Sequence, residues 1–244
     1  MFEMLKARFF QGYRTGKFPP AAPNLPDHFC GRPQVEAHAD IEAARALCPT
    51  HAWCEKAGAP AIDTGKCIFC GKCAACGVTF TREYRMAAMT REKLFADASP
   101  YTPEEQLDRG IRKMCGHSLK IRQVSAGGCA ACELDFNVLN TLAWDMGRFG
   151  IQAVASPRHA DAILVTGPVS RNMLLALKKT YEAMPKPCWV IASGACAVSG
   201  GIYAESPDVA GPVDKILPVD LYVPGCPPHP AVLLEALLRF IGRM

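Results

Sequence analysis

Thirteen of the 244 residues are cysteine, and their spacing constrains what this chain can fold into more than any other feature. They fall into two groups. Cys30, Cys48, Cys54, Cys67, Cys70, Cys73 and Cys76 lie in the first third; Cys115, Cys129, Cys132, Cys188, Cys196 and Cys226 lie further on. An odd number leaves one thiol over in a pure disulfide framework. The sequence opens with neither a signal-peptide nor a twin-arginine pattern, so export is not expected, and a cytosolic setting would keep the thiols reduced. Reduced cysteines at this density point to metal, provided their spacings agree. No run of about 18 apolar residues occurs, so no membrane span is expected. A net charge of +4 is too small to argue for nucleic acid as a partner. Half of the residues are apolar, which excludes wholesale disorder and provides a core for one or two domains.

The second half reads as α/β. Apolar strands are expected at Leu119–Val124, Ile151–Ala155, Ala162–Thr166, Cys188–Ala192 and Ile216–Val223. Helices are expected at Cys132–Arg148 (with Leu134, Val138, Leu142 and Met146 on one stripe), Asn172–Met184 and Ala231–Ile241. Strands alternating with helices imply a doubly wound, flavodoxin-like parallel sheet. The first third is loop-rich and reads as a small ferredoxin-like α+β unit. Its opening 17 residues are the exception: Phe2, Leu5, Phe9 and Tyr13 share a helical stripe beside Lys6, Arg8, Arg14 and Lys17. Such a helix either docks on the core or lies on an anionic membrane face. Thr102 before Pro103 and Glu104 reads as a helix start within a charged connection. The expected division is therefore 1–90, a linker over 91–116, and 117–244.

Each cysteine group contains one metal constellation. Cys67-x2-Cys70-x2-Cys73 places three thiolates around one face of an iron–sulfur cube, as in bacterial ferredoxins, whose fourth ligand is a remote Cys-Pro. Cys48-Pro49 supplies that pair 19 residues before the triplet. The expected ligands of one 4Fe–4S cluster are thus Cys48, Cys67, Cys70 and Cys73. A companion cluster would need cysteines at 38, 41 and 44, which are His38, Ile41 and Ala44, and a Cys-Pro at 77–78, which is Gly77-Val78. Both halves of that second site are missing together. Cys76 is then a bystander or a replacement ligand. Zinc is the competing occupant, but it favours paired Cys-x2-Cys knuckles over an unbroken triplet.

In the second group, Cys129-x2-Cys132 alone says little. However, Cys129, Cys196 and Cys226 each follow an expected strand, and in a parallel sheet all strand ends of one polarity share an edge, where ligands bind. Four distant thiols, Cys129, Cys132, Cys196 and Cys226, therefore converge. The glycines beside them let backbone approach a cluster and its N–H groups tune the sulfurs.

Gly-Gly-Cys129-x2-Cys132-Glu133, Ser156-Pro-Arg-His-Ala-Asp161, Gly194-x-Cys196-x3-Gly200-Gly201 and Pro224-Gly-Cys-Pro-Pro228 resemble the small subunit of membrane-bound, energy-converting nickel–iron hydrogenases. The resemblance extends over residues 111–244. It is strongest to the formate hydrogenlyase type, in a family that includes the 20 kDa subunit of complex I. Residues 1–95 resemble the polyferredoxin-like subunit of the same complexes, through Met1-Phe2, Phe29-x-Gly31-x-Pro33, Cys48-Pro49 and the Cys67 triplet. The Cys129-x2-Cys132 spacing is the hydrogenase type, whereas complex I small subunits use adjacent cysteines.

This resemblance implies a natural fusion carrying two 4Fe–4S clusters. It implies an oxidoreductase subunit whose chemical active site lies in a separate large subunit, with membrane-embedded subunits as further partners. Electrons would come from a ferredoxin or from the formate dehydrogenase side. The complex would sit peripherally on the cytoplasmic face of the cell membrane. It also places Glu133 near the large-subunit interface on a proton route, and Arg158 and His159 in a loop beside the cluster and that interface, with His159 on the same proton route; the competing readings are a solvated helix-terminal acid and a plain surface loop. Relatives whose large subunit lacks nickel ligands keep the same small subunit, so a complex I-like oxidoreductase is the near alternative. A zinc-binding assembly scaffold is the alternative of another class. Cys30, Cys54, Cys115 and Cys188 have no partner spacing and read as free thiols.

Overall fold

The computed structural model describes residues 2–12, 14–103 and 118–244. Helix α1 (Phe2–Gln11) opens the chain with no buried residue. Strand β1 (Pro33–Val35), helix α2 (Ile41–Leu47), β2 (Trp53–Lys56), β3 (Ala59–Asp63), β4 (Val78–Phe80) and β5 (Phe95–Ala96) follow. They form two small sheets, β1 antiparallel to β4 and the antiparallel order β2-β3-β5. The Asp40 carboxylate caps α2 by accepting the Ala43 N–H at 3.0 Å. Of the stretch expected as a linker, Arg91–Ala96 belongs to this part, with β5 paired to β3. Cys115, His117 and the helix start expected at Glu104 lie outside the described residues.

The rest of the chain runs β6 (Leu119–Ser125), α3 (Ala131–Val138), β7 (Ile151–Ala153), β8 (Ala162–Thr166), β9 (Val169–Ser170), α4 (Arg171–Glu182), β10 (Trp189–Ser193), α5 (Ala195–Ser199), β11 (Val209–Gly211), β12 (Leu221–Val223) and α6 (Pro230–Phe240). Five of these strands form one parallel sheet in the order β12-β10-β8-β6-β7, the flavodoxin-like winding. Every residue of β8, β10 and β12 is buried, because helices cover both faces. One face packs Leu119, Ile121, Leu164 and Ile191 against Phe136 of α3 and against α6. The other packs Ile163, Val165 and Val190 against Leu177 of α4 and Val198 of α5. β9 and β11 make a two-stranded antiparallel pair of their own.

β7 stops at Ala153, two residues before its expected end, and two further elements are shorter than their apolar patterns. The helix expected over Cys132–Arg148 ends at Val138. There the Thr141 hydroxyl donates to Val138 O at 2.7 Å, and Asp145 takes a left-handed φ of 44°, so local bonds replace the helical ladder. Of the expected stripe Leu134 and Leu142 are exposed and Met146 is buried, while Phe136 and Leu139 are buried beside it. The last strand keeps only Leu221–Val223 of Ile216–Val223, because Val213–Lys215 forms a tight turn and Pro218 has no N–H for a ladder.

The two parts are joined by direct contact. Ala88 pairs antiparallel with Tyr222, extending the large sheet beyond β12. Arg239 of α6 donates to Ala87 O at 2.8 Å. Arg148 donates to Gly16 O and Phe18 O at 2.9 and 2.8 Å.

Candidate metal centres

The carboxyl ends of β6, β10 and β12 carry the second cysteine group. β6 leads through Gly127 and Gly128 to Cys129, with Cys132 in the first turn of α3. β10 leads through Gly194 to Cys196 in α5, and β12 through Pro224 and Gly225 to Cys226. The winding reverses between β6 and β8, which opens the crevice where such sheets bind ligands. The backbones touch there: a Cβ on Gly167 would lie 2.4 Å from Gly128 N.

The electrostatics of the thiols show that they share one neighbourhood. Burial pushes Cys132 up to about 12, and the charges of Glu133, Cys196, Cys226 and Cys129 act in the same direction. Cys196 is pushed up to about 11 by burial and then by Cys226, Cys129 and Glu133. Cys226 is raised by burial and by Cys129. A donor set of mutually repelling thiols becomes a thiolate set only against positive charge, which a metal cluster provides. The surrounding backbone leaves the sulfurs room. A Cβ on Gly194 would lie 2.6 Å from Cys132 Sγ, and one on Gly201 would lie 2.9 Å from Cys196 Sγ. These residues fit an iron–sulfur cluster on chemistry and on space.

Glu133 is half-buried and turned inward. Its carboxylate accepts the hydroxyl hydrogen of the fully buried Thr166 at 2.7 Å, and Gln123 Nε2 donates to that same Thr166 oxygen at 3.3 Å. It is therefore anchored to the sheet end beneath the thiols, unlike a solvated helix-terminal acid. Arg158 and His159 are exposed in a turn after β7.

The first cysteine group forms a second centre. Cys48, Cys67, Cys70 and Cys73 line one small pocket, together with Trp53, Ile62, Ile68 and Phe80. Burial pushes Cys67 up to about 12; the Phe69 N–H opposes this, while Cys73, Cys48 and Cys70 add to it. Backbone N–H groups already point at the sulfurs, Phe69 N to Cys67 Sγ and Ala52 N to Cys48 Sγ, each at 3.3 Å. Phe69 holds a left-handed φ of 54° to do so. The buried Trp53 indole N–H has no conventional partner in the protein. Cys76 is buried beside this pocket but does not line it, and His38 pairs with Glu36 at the surface. Where a companion cluster would sit, Val35, Ala39, Ala44 and Val78 close into an apolar core. Among the described residues no group of three His, Cys, Asp or Glu forms a ready site for a single metal ion.

The two centres adjoin. Ile68 and Phe69, between Cys67 and Cys70, share a cavity wall with Cys226, His229, Asp135 and Cys30. Gly65 abuts α5 so closely that a Cβ there would lie 2.7 Å from Val198. Sequence reasoning did not find Trp53, Thr166 or Gly65. Glycine at 65 is a weak signal of close approach, and Trp53 belongs to no motif.

A flavodoxin-like sheet that gathers four thiols at its carboxyl edge defines a class of cluster-type oxidoreductase subunits. The model of the family "NADH ubiquinone oxidoreductase, 20 Kd subunit" matches residues 129–240, a span holding all four of those thiols. The chain is 42% identical over 143 residues to "Probable membrane-bound hydrogenase subunit mbhJ" of Pyrococcus furiosus, covering 57% of this chain and 86% of that one. It is 47% identical over 112 residues to an NADH-quinone oxidoreductase subunit of Citrifermentans bemidjiense, covering 46% of this chain and 65%, just under two thirds, of that relative. Among solved structures, a chain of an archaeal membrane-bound sulfane sulfur reductase aligns at 33% identity with a TM-score of 0.46, covering 54% of this chain and 72% of that one. The chain belongs to the family of the 20 Kd subunit of NADH ubiquinone oxidoreductase, a family of oxidoreductase subunits.

Proposed function

We propose that this chain is the iron–sulfur electron-transfer subunit of a membrane-associated nickel–iron hydrogenase complex of the formate hydrogenlyase kind. In this reading Cys129, Cys132, Cys196 and Cys226 hold one 4Fe–4S cluster, and Cys48, Cys67, Cys70 and Cys73 hold another. Such clusters supply one-electron transfer at a potential set by charge, hydrogen bonds and exposure. The chain provides the ligands, the N–H donors and a fixed spacing between the sites. The observation that carries the reading is the adjacency of two four-thiol sets, joined through Phe69 and the Cys226 loop. It answers the absence of a companion cluster, because the remaining ferredoxin-type site abuts the other directly. Cys129 and Cys226 are exposed at the sheet edge, near Leu134, Ile202 and Tyr203, which are large apolar groups open to a catalytic large subunit. Residues 1–90 and 117–244 are the two fused units, and a ferredoxin or a formate dehydrogenase-side protein is the donor.

α1 presents Phe2, Leu5, Phe9 and Phe10 outward. With Lys6, Arg8, Arg14 and Lys17 beside them, this suits an anionic lipid surface on the cytoplasmic face. No helix among the described residues is long and apolar enough to cross a membrane.

The test is metal analysis of the tagged complex, purified anaerobically. Nickel at about one per chain, with iron from two clusters at about eight, is expected for this subunit and its partner. Cys196→Ser is expected to abolish the C-terminal cluster signal and activity; an unchanged spectrum with full activity would overturn the assignment. The 47% identity to a quinone oxidoreductase subunit favours a second reading, the same relay in a nickel-free complex I-like enzyme, which predicts iron without nickel. Zinc without visible charge-transfer absorption would instead identify an assembly scaffold.

A further inference from the structure

We propose that the indole N–H of Trp53 donates a hydrogen bond to a ligand sulfur of the cluster-loaded chain and so raises the reduction potential of the N-terminal cluster. The inference rests on the reading that Cys48, Cys67, Cys70 and Cys73 hold an iron–sulfur cluster.

Trp53 begins β2, where pairing with Ile62 of β3 fixes its register and directs its ring into the core. Only 4% of the residue is exposed, and its Nε1 meets neither solvent nor a conventional acceptor. An indole nitrogen is a donor only, and a buried donor left unmatched destabilises the fold. A phenylalanine, though smaller, would pack an aromatic ring there without that cost, so the polar atom needs an explanation.

The pocket wall restricts the choice of partner. Its side chains are largely apolar, with Leu47, Ile62, Ile68 and Phe80 among them. Lys72 can only donate, and the Thr50 hydroxyl lies 3.8 Å from Cys48 Sγ. The acceptors on the side-chain wall are the four sulfurs and that hydroxyl, and of these it is the sulfurs that cluster loading changes. The Trp53 ring lines the same pocket as these four sulfurs. In the thiol form its N–H has no partner within normal hydrogen-bond geometry. A neutral thiol is a weak acceptor, whereas a metal-bound thiolate is a strong one. The donor therefore gains its partner when the cluster is loaded. N–H donation to a ligand sulfur stabilises the more negative, reduced state, and the potential rises. Trp53 is thus a positioning and tuning residue with no contact to a reacting substrate atom.

The experiment is a redox titration followed by electron paramagnetic resonance on the full chain, purified anaerobically with its clusters. Trp53→Phe is expected to keep the iron content and spectral shape of the N-terminal cluster and to lower its midpoint potential. The C-terminal cluster serves as the internal control and is expected to stay put. An unchanged N-terminal midpoint would overturn the proposal. A measurement on the unmutated chain stands independently of how the variant folds: with 15N-indole tryptophan, electron–nuclear double resonance is expected to show the indole nitrogen and an exchangeable proton coupled to the reduced N-terminal cluster. Absence of that coupling overturns the proposal as well. Failure of the underlying reading looks different: the unmutated chain would then carry iron for one cluster alone, about four per chain, and lack the N-terminal signal altogether.

Discussion

At the scale of single residues, glycine sets the shape of the C-terminal centre. Gly194 holds φ +91° in the turn out of β10, and a methyl group there would lie 2.6 Å from Cys132 Sγ. Gly194→Ala therefore combines backbone strain with displacement of a ligand. The expected result is loss of the C-terminal cluster signal and of about four irons per chain, with the N-terminal signal retained; iron analysis and spectroscopy of the variant check this. The eight expected ligand positions are read from thiol spacing and strand-end placement, and the fold brings each set of four into one neighbourhood. What was not legible is what the neighbours do. Glu133 is turned toward Thr166, and Trp53 lines the pocket of the first cysteine group, through contacts between segments remote in sequence, which no local pattern encodes.

At the scale of elements, α6 shows how a cap can depend on pH. His229 Nδ1 accepts the Ala231 N–H at 3.1 Å, so the ring must be neutral with its hydrogen on Nε2. Burial, and then the nearby His28, holds the His229 pKa below its usual value. The folded chain thus favours the neutral ring. This contribution is fully present above about pH 6.5, the value in an unfolded chain, and is lost as pH falls through the lowered folded value. Thermal unfolding should show the wild-type protein losing stability below about pH 6.5 more steeply than His229→Asn, which keeps an acceptor that does not titrate. His229→Ala should cost about 1 kcal/mol at neutral pH. The parallel sheet was readable from its apolar runs, because strands buried on both faces carry little else. The ends of α3 and β12 were not, since Thr141, Asp145 and Pro218 act through local bonding, which hydrophobic periodicity does not register.

At the scale of the whole molecule, the first ninety residues are held to the large sheet by polar and apolar contacts together. Arg239 sits in the core with Glu235, Nε to Oε1 at 2.9 Å and Nη2 to Oε2 at 3.3 Å, while also donating to Ala87 O. That last bond is the one of the three that crosses from α6 to the first part of the chain. α1 is the contrary case, with all its residues exposed. Its apolar stripe was readable in the sequence, but the choice between core and membrane was not, because periodicity reports a face and not its occupant. Deleting residues 2–11 should leave unfolding unchanged within about 0.5 kcal/mol, since no buried contact is lost. The same deletion should remove association with anionic vesicles, as measured by flotation. Retained flotation would place the membrane contact elsewhere.

The contact of Gly65 with Val198 carries a kinetic consequence. Two separate carrier proteins meet at a rate that depends on their concentrations and on ionic strength. Here the second site is a permanent neighbour, and the effective concentration of one site at the other is set by van der Waals contact and not by a tether. With clusters in both thiol centres, as proposed, exchange between them would be first order, the same in dilute or crowded solution and at low or high salt. Any salt dependence of the assembled complex would have to arise at its outer surfaces.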